Sequence, residues 1–218
     1  MIEVKDLSVK FGEDEVLKGV SYVFEKGKIY GIVGNNGSGK TVLMKCICGF
    51  LVPTGGGVWI DGKHIGKDLD FPESIGIIIE TPGFLPNLTG IKNLEILASL
   101  QGKIDKDAMI KTMKMVGLDA KLKKPVAKYS LGMRQRLGIA QAIMENPEIL
   151  ILDEPFNGLD KQGVAQIHEL ILNLKSGNKT ILLSSHSQND IDLLCDVVCE
   201  MDAGVMKEVR RREGVPLE

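Results

Sequence analysis

Apolar and polar residues alternate from the start of the chain. Ile2, Val4, Leu7, Val9 and Phe11 predict an edge strand, and Val20, Tyr22 and Phe24 a second. A denser run, Lys28 to Val33, suits a buried parallel strand, and Thr41 to Phe50 reads as a helix carrying Val42, Leu43, Ile47 and Phe50. Pro53-Thr54-Gly55-Gly56-Gly57 is a turn leading into a strand from Val58 to Ile60. Residues 1–25 and 57–65 are thus expected to form an antiparallel layer. Ser74 to Ile79 reads as another apolar strand.

The period then changes. Ile91, Leu94, Leu97 and Leu100 recur at helical spacing, as do Met109, Ile110, Met113 and Val116, and Ser130 is placed to cap a third helix ending near Glu145. Methionines here read as flexible core packing. After Asn146-Pro147, Ile149 to Leu152 is a fully apolar strand. A helix with Val164, Ile167, Leu170, Ile171 and Leu174 on one face follows, then a strand from Thr180 to Leu183. Val197 to Met201 and Val205 to Val209 read as a closing pair, and Arg210 to Glu218 as a charged, frayed end. These alternations predict an α/β fold with a mainly parallel sheet. Residues 1–86 and 146–218 would form its core and antiparallel layer, and 87–145 a helical subdomain.

The chemistry lies at the strand ends. Gly34-Asn35-Asn36-Gly37-Ser38-Gly39-Lys40-Thr41 is a complete G-x-x-x-x-G-K-[ST] phosphate loop between a strand and a helix. Its glycines let successive N–H groups face phosphate oxygens. Lys40 supplies positive charge, and the Thr41 hydroxyl is placed to ligate Mg²⁺. The helix it opens favours an anion through its dipole. Asp153 and Glu154 directly follow the apolar strand, where a carboxylate could hold the Mg²⁺ shell and a second could reach the water attacking a γ-phosphate. Ser130 and Gly132 at a helix start read equally as an N-cap or as an anion contact.

Composition narrows the partners. Hydrophobic content of 44% and charged content of 26% fit a folded domain of 218 residues. A net charge of −2 gives no basic field for nucleic acid, so none is expected as a partner. No apolar run approaches the roughly 18 residues that span a bilayer, and Met1 to Asp6 has no signal-peptide pattern. The expected location is cytoplasmic. Cys46, Cys48, Cys195 and Cys199 lack the usual zinc spacings and read as small buried hydrophobes.

Taken in order, these motifs resemble the ATP-binding cassette (ABC) ATPases over nearly the whole chain. The phosphate loop is followed by Ser130-Leu131-Gly132-Met133, where the family carries Ser-Gly-Gly-Gln, and by Arg134-Gln135-Arg136, its usual continuation. Ile149 to Glu154 resembles the second nucleotide motif, with Glu154 in the catalytic position. Asn157-Gly158-Leu159-Asp160 resembles the loop that communicates across the dimer, His186 falls at the switch histidine and Phe11 at the aromatic that stacks on adenine. Glu80 stands where glutamine is usual. With Ser-Leu-Gly-Met, Glu80 to Thr89 resembles the bacitracin- and lantibiotic-export subgroup.

The resemblance implies an ABC-type core with a helical subdomain and an ATPase using ATP and Mg²⁺. Thr41, Glu80 and Asp153 would be at the metal; Lys40, Glu154 and His186 would be catalytic. Nucleotide would contact Phe11, Gly34 through Thr41, and Ser130 and Gly132 of a facing cassette. It also implies a head-to-tail dimer, expected to be homomeric, and permease subunits on a separate chain that hold it at the inner face of the cell membrane. The rival readings are a soluble ABC-type ATPase working on DNA or ribosomes and a small-molecule kinase. The first would usually carry a long coiled coil or two cassettes; the second leaves Ser130 to Arg136, Asp160 and His186 unexplained.

Overall fold

The computed structural model describes residues 1–102 and 104–212. Its short apolar runs become parallel strands: β3 (Ile29–Val33), β6 (Ile75–Ile78), β7 (Ile149–Leu152) and β8 (Thr180–Leu183). With β9 (Val197–Asp202) and β10 (Val205–Arg211) they form a sheet in the order β10-β9-β3-β8-β7-β6, parallel except for β10. Strands β3, β8 and β7 are adjacent, so their carboxyl ends open on one edge at strand spacings of about 4.8 Å. That adjacency brings together loops separated by more than a hundred residues.

Both faces of this sheet are covered, which is why β7 and β8 are apolar without alternation. Leu150 and Leu152 point into one core, shared with the helices α2 (Gly90–Gln101), α3 (Lys106–Met115), α4 (Leu131–Ile143) and α5 (Lys161–Lys175). Ile149 and Ile151 point into the other, beneath α1 (Lys40–Ile47) and an antiparallel sheet. That second sheet has the order β2-β1-β4-β5, from β1 (Ile2–Phe11), β2 (Asp14–Phe24), β4 (Gly55–Ile60) and β5 (Lys63–His64). Met109 and Met113 are buried in the helical core, as packing residues should be.

Several boundaries differ from the sequence expectation. Helix α1 stops at Ile47, and Phe50 lies beyond it, exposed, against Phe71. Gly49 makes the stop: its φ is +78° and a Cβ there would sit 2.4 Å from the Asp70 carbonyl oxygen. Leu100, expected on the buried face of its helix, is exposed. Strand β2 begins at Asp14, well before Val20, because the turn at Gly12-Glu13 lets it pair with β1 from Phe11 onward. Arg210 and Arg211 belong to β10, and Arg210 donates to the Ile191 carbonyl at 3.1 Å; the remainder of the expected frayed end, from residue 213, lies outside the described residues. A short helix, α6 (Gln188–Leu194), escaped the periodicity because seven residues fall just short of two turns. Its start was nonetheless written as Ser187-x-x-Asp190, and the Ser187 side chain caps it.

All four cysteines are buried and unpaired. Burial pushes the Cys46, Cys48 and Cys195 thiols up to about 12 and that of Cys199 to about 11. They act as packing groups in the two cores.

Candidate functional site: a phosphate cradle at the ends of three parallel strands

The phosphate loop leaves β3 and enters α1 as expected. Gly34 and Gly39 cannot be replaced without movement. A Cβ on Gly34 would lie 2.1 Å from the Met201 carbonyl oxygen, and Gly39, at φ +108°, would press one against Leu17 at 2.8 Å. Lys40 is buried and folds back along the loop, donating to the carbonyls of Gly34 at 2.7 Å and Asn35 at 3.0 Å. The Ser38 hydroxyl is buried with no hydrogen-bond partner. An orphaned donor inside a ring of loop amides fits a phosphate oxygen. Asn35, Asn36 and Gly37 are exposed at the loop tip.

The carboxylates reach this loop from the neighbouring strands. The Thr41 hydroxyl, on the first turn of α1, donates to Asp153 Oδ2 at 2.8 Å. The other Asp153 oxygen accepts from the Ser184 hydroxyl at 2.6 Å, and that same hydroxyl accepts from the Glu154 backbone N–H at 2.9 Å. Ser184, at the end of β8, therefore locks Asp153 and Glu154 together. Glu154 sits in left-handed backbone (φ +51°), which turns its side chain back over the strand ends. Its carbonyl accepts from buried Gln135 on α4 at 3.2 Å. Glu154 Oε1 is buried with no hydrogen bond, 3.4 Å from His186 Nε2. A buried carboxylate oxygen without a donor fits a water or hydroxyl that arrives with substrate.

One cavity of about 390 Å³ is lined by Asn36, Gly37, Gly39, Lys40, Thr41, Asp153, Glu154 and His186, with Val16 closing its side. The structure so brings together the loop, the carboxylate pair and the histidine. Phe11 is exposed at the end of β1 and does not line this cavity. Glu80 is exposed, in left-handed backbone (φ +58°), and pairs with Lys45 on α1 at 2.7 Å. It lines a second cavity with Asp153, Glu154 and Leu131. A carboxylate at this position adds negative charge beside Asp153 and Glu154, and Lys45 offsets part of it.

Ser130 caps α4, its hydroxyl accepting from the Met133 N–H at 3.2 Å. Ser130 and Gly132 do not line the phosphate cavity. Leu131 is exposed and packs on Gly158, while Gly132 lies under the Gly158 carbonyl, where a Cβ would come within 2.5 Å. Asp160 caps α5 by accepting from the Gly163 N–H at 2.8 Å. Ser184, Gln135 and Lys45 are the site residues missed from sequence. Their one signal was position: Ser184 immediately ends an apolar strand, and Gln135 belongs to the signature's continuation.

Comparison with known proteins supplies the family. A family model described as ABC transporter matches residues 17–157. YybJ of Bacillus subtilis (strain 168), an uncharacterized ABC transporter ATP-binding protein, is 45% identical and aligns over 94% of each chain. BcrA of Enterococcus faecalis, a bacitracin transport ATP-binding protein, is 44% identical over 95% of this chain and 68% of its own length. The solved dimeric structure of MJ0796, a bacterial ABC transporter cassette, superposes with a TM-score of 0.86 at 25% identity, over 96% of this chain and 99% of that one. With most of its length matched by the family model and nearly all of it by YybJ, the chain belongs to the ABC transporter family, as one of its ATP-binding ATPase subunits.

Proposed function

We propose that the chain works as one half of an ATP-clamped pair of identical cassettes that drives separate membrane subunits in exporting a peptide antibiotic. The observation that carries this reading is a division of the site. The loop, Asp153, Glu154 and His186 share one cavity on this chain, while Ser130 and Gly132 open elsewhere. A γ-phosphate bound here would so find part of its shell on a second copy. Export of a bacitracin-like peptide is supported by the likeness to BcrA and by the Glu80 and Leu131 departures. Among the described residues no helix is long and apolar enough to cross a membrane. Attachment to the inner face of the cell membrane would thus come through the permease, with residues 87–145 as the contacting helical subdomain. Phe11, exposed at the end of β1, would stack on adenine.

Phosphoryl transfer is mostly positioning and charge stabilisation. Mg²⁺, held by Thr41 and Asp153 with Glu80 beside them, would offset charge on the phosphate oxygens. Lys40 would release the Gly34 and Asn35 carbonyls to meet the phosphates, and Ser38 would donate to one of their oxygens. Glu154 would accept a proton from, or orient, the attacking water through its unpartnered oxygen. His186 would hydrogen-bond the γ-phosphate. Closure would follow from the higher affinity of ATP for the paired state.

Sedimentation of Glu154→Gln with and without Mg-ATP, beside phosphate release by the parent, tests this. The expected result is an ATP-dependent monomer-to-dimer shift in the variant, with hydrolysis lost. A variant that binds ATP yet stays monomeric would refute the homomeric clamp.

A further inference from the structure

Behind His186 lies a buried polar network that the reaction as described does not use. His168 on α5 and Asp190 on α6 are both buried, with His168 Nε2 and Asp190 Oδ1 3.0 Å apart. The other Asp190 oxygen accepts from the buried Ser185 hydroxyl at 2.8 Å, and that hydroxyl accepts from the Ser187 backbone N–H at 3.1 Å. His186 is the residue between those two serines. The turn that carries it is held by two adjacent serines: Ser184, on Asp153 and Glu154, and Ser185, on Asp190 and on the Ser187 N–H beyond His186.

The network has a second contact. The His168 ring meets Phe156 edge-on, with centroids 4.8 Å apart. Phe156 begins the loop that continues through Gly158, against which Leu131 and Gly132 pack. A cavity of about 570 Å³ separates this loop from the histidine turn, lined by Glu154, His168 and His186 among others. The His186 side chain is more than half exposed at 57%, and its ring lies 3.4 Å from Glu154 Oε1. An exposed ring owes its place largely to its backbone, and Ser185 ties that backbone to Asp190.

We propose that His168, Asp190 and Ser185 are positioning residues that fix His186 relative to Glu154, and that His168 links that position to the Phe156–Leu159 loop. A buried carboxylate demands donors, and among the described residues His168 and Ser185 supply them. The Asp190 carboxylate accepts, so His168 carries its proton on Nε2. Removing the His168 donor leaves Asp190 to draw on Ser185 alone, and the turn shifts with it. A displacement of about 1 Å at a group that touches phosphate lowers the rate by up to about 100-fold without weakening nucleotide binding.

The inference rests on the reading of His186 as a γ-phosphate contact. Its test uses the full chain and four variants: His168→Leu, His168→Gln, Asp190→Asn and His186→Ala. Each is measured for kcat and for affinity toward trinitrophenyl-ATP; the first three are also measured for the imidazole Cε1–H resonance of His186, one of three histidines in the chain, which His186→Ala assigns by its disappearance. His168→Leu and Asp190→Asn are expected to lower kcat by about 10- to 100-fold with nucleotide affinity unchanged, and to shift or broaden the His186 resonance. His168→Gln, whose amide N–H can reach Asp190 as the imidazole Nε2–H does, is expected to recover most of the rate and the parental resonance. The inference is overturned by a folded His168→Leu with parental kcat, by a rate loss that leaves the His186 resonance in place, or by a glutamine no better than leucine. If His186→Ala hydrolyses ATP at the parental rate, the role given to His186 fails, and this inference with it. If His186→Ala is impaired while His168→Leu is not, the inference alone fails.

Discussion

Replacing Ser184 by alanine tests how the carboxylate pair is held. Ser184 is fully buried, and its hydroxyl makes two hydrogen bonds at once: it donates to Asp153 Oδ1 at 2.6 Å and accepts from the Glu154 N–H at 2.9 Å. The first is to a carboxylate, a class of bond worth about 1.5–3 kcal/mol. Losing the second leaves a backbone donor unpaired in a strained turn, which costs about 1–3 kcal/mol if no water replaces it. The site opens on a cavity, so water can recover part of that second term, and the net expectation is a loss of about 2–3 kcal/mol. For a domain of this size each kcal/mol lowers Tm by about 2–4 °C, so Ser184→Ala should melt about 4–12 °C below the parent without nucleotide. Circular dichroism melting reads this. Ser176→Ala is the control, because that hydroxyl sits at the exposed end of α5 and only bonds the Asn173 carbonyl at 2.7 Å. It should stay within about 2 °C. Phosphate release should fall in Ser184→Ala, since Asp153 and Glu154 both lose their tether. A Ser184→Ala protein that melts with the control and hydrolyses ATP at the parental rate would refute the tether.

Four further outcomes follow from other parts of the molecule. All four thiols sit well above their ordinary value of 9.0 through burial, so a neutral-pH thiol reagent should label none of them in the native chain and all four after denaturation; labelling of the native chain would refute the buried assignment. Because each thiol holds its proton more tightly when folded, the stability it contributes is constant below pH 9 and falls as pH rises from 9 toward 12, which urea melts across that range would detect. Gly158→Ala forces a side chain into left-handed backbone (φ +74°) and onto Leu131 at 2.5 Å, so its destabilisation should shrink by about 0.5–2 kcal/mol when Leu131→Gly is also made; strictly additive melting shifts would refute that contact. Lys45 competes for the Glu80 carboxylate at 2.7 Å, so Lys45→Met should lower the Mg²⁺ concentration needed for nucleotide binding and Glu80→Gln should raise it. Each shift should reach at most about fivefold, since an exposed ion pair is worth about 1 kcal/mol or less; identical Mg²⁺ titrations of the three proteins would refute the competition.

The strand-end chemistry was legible because it is local. A phosphate loop needs its glycines and Lys40 within eight consecutive residues, and Asp153 and Glu154 directly follow the strand that presents them. The central strands were equally plain, since burial on both faces leaves runs such as Ile149 to Leu152 without a polar position. What escaped depends on partners distant in sequence. Lys45 reads as one lysine on a helix until Glu80 is found opposite it. Ser184 and Gln135 are ordinary polar residues until the adjacency of β7 and β8, and the packing of α4, place them at Glu154. Phe50 and Leu100 failed for the opposite reason: both continue a helical apolar period, yet neither has an element of the described chain packed over it. Periodicity reports a face, and only tertiary structure says whether that face is covered.

Helix α4 is where these local and distant terms meet. Its first turn holds Ser130, Leu131 and Gly132, the last two against Gly158; one turn further in, Gln135 donates to the carbonyl of Glu154. Thirteen residues of helix move as a body, so a force at the Ser130 end must be felt at Gln135. If ATP on a facing cassette is gripped by Ser130, as proposed, then the grip on one nucleotide bears on the backbone of Glu154, the residue that would orient the water attacking the other. Leu131 tightens that linkage. A glycine at its position would leave Gly158 uncovered, whereas the leucine fills the gap and makes the loop and the helix one packed unit. Any preference of ATP for the closed pair is then transmitted through packing rather than through a flexible hinge, because close-packed groups have no slack in which to absorb a displacement.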